Sequence, residues 1–183
     1  MKLKKFNLKL KVLHSNKLES NLRSKIFQLK KTHYKFSLLR QKIWFNNNIQ
    51  PQDKHLVLLN KKDIIGYNVL KFRKINFKYF RKKLPGKAYI FDTLIIDNKF
   101  RNLGLSKLIM NKSNNIIKKK KYISFLVCKP NMIKFYKYYN WKIIPDSKIL
   151  FTNFKKTNMH AWMYYGKKIN LKKIKKIEIF FKQ

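Results

Sequence analysis

DTLIIDNKFRNLGLSKLIM, residues 92–110, is the stretch on which the reading of this chain turns. A β-branched apolar run enters a turn holding Arg101 and Gly104, and the turn opens at once into helical spacing. Backbone amides at such a helix start lack intrahelical acceptors, and the helix dipole adds partial positive charge, so a pyrophosphate can be cradled there. Gly104 either lets the backbone approach that anion closely or serves only the geometry of a strand-to-helix turn. The spacing predicts a helix from Leu105 to about Lys118 that buries Leu105, Leu108, Ile109 and Ile116.

Outward from this stretch the chain reads as alternating strands and helices. Phe6, Leu8, Leu10 and Val12 alternate with polar residues, the period of a half-buried strand. Asn16 and Glu19 resemble a capping box before a helix from about 17 to 31, with Leu18, Leu22, Ile26 and Leu29 on one face. Ser37 can cap a second helix that turns Leu38, Ile43 and Trp44 inward. HLVLL and IIGYNVLKF, joined by a polar turn at Asn60 to Asp63, read as a hairpin. The basic, aromatic segment 74–87, closed by Pro85 and Gly86, reads as a loop, and AYIFDTLII as the strand that enters the quoted turn. Beyond it, YISFLVC reads as a buried strand, Met132 to Tyr139 as a short helix, and the stretches around Ile143 and from Ala161 to Tyr165 as closing strands. The order predicts a mixed α/β sheet flanked by helices.

Composition narrows the class. The chain has 183 residues, of which 45% are hydrophobic and 15% aromatic, too apolar for a disordered polymer and of a size for one domain. No run approaches the length of a membrane-spanning helix, and the basic N-terminus lacks the continuous apolar core of a secretion signal. The net charge of +39 points to anionic partners, but it is carried by 41 Lys and 5 Arg spread along the chain, whereas specific base and phosphate recognition favours the guanidinium. With 21 Ile, 19 Asn and 2 Ala the bias resembles an AT-rich genome, and it implies nonspecific anion affinity without a specific nucleic-acid partner. A lone cysteine, Cys128, forms no internal disulfide, and no histidine spacing suggests a metal; the expected compartment is the cytoplasm.

Some thirty residues after the quoted stretch, FLVCKPNMIKFYKYYNWKII holds a strand, a short helix with Phe135 and Tyr136, and Trp141 at the start of the next strand. The two segments, in this order and at this distance, resemble the GNAT family of acyl-CoA-dependent N-acetyltransferases over roughly residues 54 to 144. The family's pyrophosphate turn reads Arg or Gln, two residues, Gly, one residue, Gly or Ala; here it is Arg101, Asn102, Leu103, Gly104, Leu105 and Ser106. The later Phe-Tyr and Gly-Phe pairs appear as Phe135–Tyr136 and Asn140–Trp141. Ser106 and Asn140 replace glycines, and Lys129 stands where many members have an Asn, with Asn131 two positions later.

The resemblance implies a mostly antiparallel central sheet with strands splayed at an acyl-CoA cleft, and transfer of an acetyl group from acetyl-CoA to an amine without a metal. It places backbone groups of Leu94, Ile95 and Ile96 along the pantetheine arm, residues 101–106 and Asn131 on CoA, and Tyr136 as proton donor to the departing thiolate. Asp92 is the expected general base, its pKa raised by an apolar strand; the alternative is a partner for a lysine. His55 is the next candidate, then His160, and Tyr136 reads otherwise as a core aromatic. The expected domain is 1–166, with 167–183 a basic extension carrying Leu171, Ile174, Ile177 and Phe181 at helical spacing, which lies on a membrane or, preferably, packs on the domain, completes a sheet edge or meets a second copy. The chain is expected as monomer or homodimer. The preferred acceptor is a small amine such as an amino sugar of surface-polysaccharide synthesis; a protein amine and a noncatalytic RNA-binding role through Phe77, Tyr79 and Phe80 are the alternatives.

Overall fold

Among the described residues nine strands and four helices follow one another: β1 (Leu8–His14), α1 (Ser20–His33), α2 (Leu38–Asn48), β2 (Lys54–Asn60), β3 (Asp63–Lys78), β4 (Lys83–Ile96), α3 (Ser106–Lys119), β5 (Ile123–Cys128), α4 (Ile133–Tyr138), β6 (Lys142–Ile144), β7 (Ile149–Phe151), β8 (Ala161–Gly166) and β9 (Lys176–Ile179). The structure is a computed structural model, and it describes residues 6–79, 82–151 and 160–179. The chain divides into two compact units, Met1–Lys71 with Phe91–Ser113, and Phe72–Ile90 with Asn114–Gln183.

In the first unit β1 pairs antiparallel with β2, from Leu8 opposite Asn60 to His14 opposite Lys54. The β2–β3 hairpin turns at Lys61, whose φ is +55°, and shifts register between Leu58 and Leu59, leaving Ile65 as an extra residue in a bulge. Gly66 follows because no side chain fits: a Cβ there would meet Ile96 Cδ1 at 2.9 Å and Ile109 Cδ1 at 3.0 Å. Ile26, Phe27 and Leu29 of α1 close a core with Phe45, Val57, Tyr67, Val69 and Ile95. Burial of each such large side chain contributes about 1.5–3 kcal/mol. The first helix starts three residues later than its spacing suggested, because Ser15–Lys17 form a separate 3₁₀ turn and Glu19 precedes the helix without a side-chain cap bond. Ser37 does cap α2, its hydroxyl accepting from the Arg40 N–H at 3.2 Å. That helix is rotated from expectation: Gln41 and Phe45 are buried, Trp44 is half-buried, and Leu38 and Ile43 are exposed. Phe45 sets this rotation by meeting Phe27 edge-on and the His55 ring in a stack.

In the second unit β4 pairs in parallel with β5, Ala88–Ile90 against Ile123–Phe125, and β5 continues antiparallel to β8 and β8 to β6. β9 pairs antiparallel with β3, Ile75 opposite Ile179 to Lys78 opposite Lys176, and parallel with β7. The sheet is therefore mixed and mostly antiparallel, as the resemblance implies, and its strands follow the order β1-β2-β3-β4-β5-β8-β6. Two readings are corrected. Most of segment 74–87 is strand: β3 reaches Lys78 and β4 begins at Lys83, because β9 supplies backbone partners and Ile75 joins a core with Ile90, Phe125, Trp162 and Ile177. The tail is not an apolar helical stripe there, since Ile177 and Ile179 enter the sheet as β9 and Ile174 is buried beside them; Phe181 lies outside the described residues. Along α3, Ile117 is buried while Leu108 is exposed and Ile116 half-buried.

Candidate functional site

β4 delivers the chain into the turn the sequence singled out. The Asp97 carboxylate accepts from the Lys99 N–H at 2.9 Å and caps a 3₁₀ turn, after which residues 101–105 lead into α3 at Ser106. Asn102 and Gly104 both take positive φ, +61° and +71°, and a Cβ on Gly104 would meet nothing within 4 Å. Among the described residues the N–H groups of Asn102 through Ser106 have no acceptor; helical bonding resumes with Lys107 to Gly104 O. Acceptor-free N–H groups at the start of a 14-residue helix, with the positive end of its dipole behind them, favour an anion. The Arg101 guanidinium is tethered, donating to Ile96 O at 3.3 Å and approaching His33 Nδ1 at 3.0 Å.

Just upstream the strand is irregular at Thr93, whose φ of +60° is costly for a β-branched residue. Asn68 Nδ2 donates to the Asp92 carbonyl at 2.8 Å, and Ser113 Oγ donates to Asn68 Oδ1 at 3.1 Å. Asp92 itself pairs with Lys71 Nζ at 2.5 Å and accepts from Thr93 Oγ1 at 3.0 Å, with 31% of its side chain exposed. Burial favours the neutral acid, but the Lys71 ammonium, the Thr93 hydroxyl and Lys30 outweigh it, and the Asp92 pKa falls below the ordinary value. The expected elevation is thus reversed, because the strand is flanked by cations that the local sequence does not display. Lys30 Nζ sits 3.7 Å from the centre of the Trp44 ring, with Lys71 Nζ at 5.3 Å from the same ring. Desolvation lowers the Lys30 pKa to about 8 against the pull of Asp92, and it raises the Tyr34 phenol to about 12.

His55 is buried with both ring nitrogens engaged, by Ser15 Oγ and by Tyr67 Oη, each at 2.7 Å. Burial and Lys30 push its pKa down to about 4, so the ring is neutral and serves as a core hydrogen-bonding group. His160 lies half-buried before β8.

In the second unit Tyr136 is buried on α4, its ring 5.1 Å from Phe135 and 6.3 Å from Trp141. The helix ends in a Schellman motif: Trp141 N–H donates to Tyr136 O at 3.1 Å and Asn140 N–H to Lys137 O at 2.9 Å, with Asn140 at φ +64°. Asn140 therefore performs the backbone task of the glycine it replaces. Trp141 is held in turn by its indole N–H on Asn114 Oδ1 and by stacking on Tyr165 at 5.4 Å. Asn131 is exposed in a 3₁₀ turn before α4, and the buried Cys128 thiol is pushed up to about 11, unsuited to nucleophilic attack at neutral pH.

The 101–106 turn, Asp92 and Leu94–Ile96 share the first unit, while Tyr136 and Asn131 belong to the second. Sequence reasoning missed Lys30, Lys71, Tyr34 and Asn68. Lys30 was detectable, since it continues the buried face of Ile26, Phe27 and Leu29. Among the described residues no cluster of metal-ligating side chains occurs, and no helix is long and apolar enough to cross a membrane. A groove of about 440 Å³ in the first unit is lined by Lys9, Lys11, Lys17, Lys25, Lys61 and Lys62, none of them part of the Asp92 cluster or the 101–106 turn.

This arrangement of sheet, helices and turn is the GNAT fold. The GNAT family N-acetyltransferase YhbS of Escherichia coli, solved in complex with CoA, superposes with a TM-score of 0.68 at 12% identity, over 96% of this chain and 91% of that one. An acyl-CoA N-acyltransferase from Pseudomonas aeruginosa gives 0.64 at 12% identity, over 87% and 100%. Escherichia coli ElaA gives 0.63 at 11% identity, over 86% and 99%. No known family profile matches the sequence, and no curated protein matches it.

Proposed function

We propose that the protein is an acetyl-CoA-dependent N-acetyltransferase acting on a primary amine. The observation that carries this reading is the run of acceptor-free amides from Asn102 to Ser106 at the start of α3, in a fold shared with a neighbour solved with CoA. The turn suits a pyrophosphate because its N–H groups have no acceptor among the described residues and a Cβ on Gly104 would meet nothing within 4 Å. In this reading Arg101, Asn102, Leu103, Gly104, Leu105 and Ser106 hold the pyrophosphate, and Asn131 contributes a further polar contact. Backbone groups of Leu94, Ile95 and Ile96 orient the thioester arm, consistent with a β5 ladder confined to Ala88–Ile90 on this strand.

Chemistry requires a neutral amine, a polarised carbonyl and a proton for the leaving sulfur. Asp92, ionised through the neutral range, accepts a hydrogen bond from the incoming ammonium and passes its proton to water. Tyr136 donates its phenolic proton to the thiolate. Treating residues 1–166 as one catalytic domain, we take a small amine, an amino sugar included, as the acceptor class. The RNA-binding alternative is less well supported, since Phe77 and Tyr79 are half-buried against the second core; Phe80 lies outside the described residues. The test is a thermal-shift titration with CoA at moderate salt, where diffuse attraction to lysines is screened, followed by thiol release with an amine panel. No shift with CoA and no thiol release would refute the reading.

A further inference from the structure

Lys30 is an internal cation without an internal anion of its own. Its side chain projects from α1 and the residue is 3% exposed. Among the described residues it has neither a hydrogen bond nor an ion pair, and its ammonium rests over the Trp44 indole. The nearby carboxylate, Asp92, is already engaged by Lys71 and by the Thr93 hydroxyl. An ammonium largely shielded from water and without an anion in contact is costly, and a cation–π contact returns about 0.5–2 kcal/mol, so the Lys30 ammonium, which keeps a small opening to solvent, gains from an anion delivered there. Two ammoniums against one carboxylate leave the cluster with one positive charge in excess. One negative charge balances it, which matches a carboxylate better than a dianionic phosphate.

We infer that Lys30 receives a carboxylate of the acceptor, so that the substrate is a primary amine bearing a carboxylate: an α-amino acid or an acidic amino sugar. The inference rests on the acetyltransfer reading. Asp92 keeps about a third of its side chain open, so the acceptor's ammonium meets a carboxylate in the cluster where its own carboxylate meets Lys30. The half-buried Trp44 ring, under the Lys30 ammonium and 5.3 Å from Lys71 Nζ, offers an apolar surface beside the cluster.

Two pairs test this: L-phenylalanine with phenethylamine, which differ by the carboxylate alone, and muramic acid with glucosamine, which differ by the 3-O-lactyl group that carries it. With acetyl-CoA as donor and thiol release as readout, the carboxylate-bearing member of at least one pair should show a kcat/KM at least about tenfold higher, chiefly through KM. The pair that shows it identifies the source. Lys30→Met, which keeps length and apolar bulk, should erase the preference by about 10- to 100-fold, the value of a hydrogen bond to a charged group, and Lys30→Arg should restore part of it. Equal use of both members, or a preference that survives in Lys30→Met, overturns the proposal. CoA binding is followed separately by thermal shift, so its absence refutes acetyltransfer and leaves the carboxylate site to be judged by binding. That arm, which also decides if CoA binds but no amine turns over, compares stabilisation by N-acetylphenylalanine and N-acetylmuramic acid with that by N-acetylphenethylamine and N-acetylglucosamine. Stabilisation that needs both the carboxylate and Lys30 supports the site, and its absence with both acids overturns it.

Discussion

Replacing Lys30 by Met should change how stability depends on pH, in a direction set by the desolvation of its ammonium. In the folded chain Lys30 loses its proton at about 8, against an ordinary value of 10.5. Below pH 8 both folded and unfolded chains carry the charge, and the folded one bears it buried. Between about 8 and 10.5 the unfolded chain binds a proton that the folded chain has released, so stability rises with pH; above 10.5 both are neutral and the gain is complete. At about 1.36 kcal/mol per pH unit, the interval gives about 3 kcal/mol. The other lysines titrate in the same range, so the quantity to measure is the wild-type unfolding free energy minus that of Lys30→Met, from urea melts at a series of pH values from 7 to 10.5. The difference should rise in favour of wild type by about 3 kcal/mol across the series. Asp92 and Lys71 face Lys30 and are retained in both proteins, so the difference reports the loss of the Lys30 charge together with its coupling to these two groups. A flat difference would show that the Lys30 ammonium is solvated, and would remove the basis for treating it as an unbalanced internal charge.

Tyr136→Phe keeps the ring on α4 and removes the phenolic proton; turnover should fall by about ten- to a thousandfold with CoA binding unchanged, and equal turnover would make Tyr136 a core aromatic. Gly104→Ala adds a methyl group at φ +71° beside the free amides and should weaken the CoA thermal shift while costing about 1–2 kcal/mol of stability; an undiminished shift would place the phosphates elsewhere. Asn140→Gly should leave the melting temperature equal or slightly higher, whereas Asn140→Val should cost about 1–2 kcal/mol, because Asn140 closes α4 at φ +64°; equal stability of the two variants would refute the capping argument.

Local order carries its own signature, and it was legible. The strand–turn–helix at residues 88–119, the β2–β3 hairpin, the Ser37 cap and the α4–Trp141 segment follow from residue period, turn chemistry and capping, which act over a few positions of chain. The GNAT resemblance was legible for the same reason, since its motifs sit in short segments, and the structural neighbours share that fold. What adjacent residues left undecided was the behaviour of groups whose partners lie far away in the chain. Segment 74–87 reads as a loop by composition, yet Ile75–Lys78 is a strand because β9, a hundred residues later, supplies its ladder. Asp92 reads as a carboxyl in an apolar strand, with a raised pKa; its actual state is set by Lys71 on β3 and Lys30 on α1. Periodicity reports which face of a helix or strand is turned inward, but the ionisation of a side chain depends on charges within a few ångströms in space, and those distances arise when the elements pack.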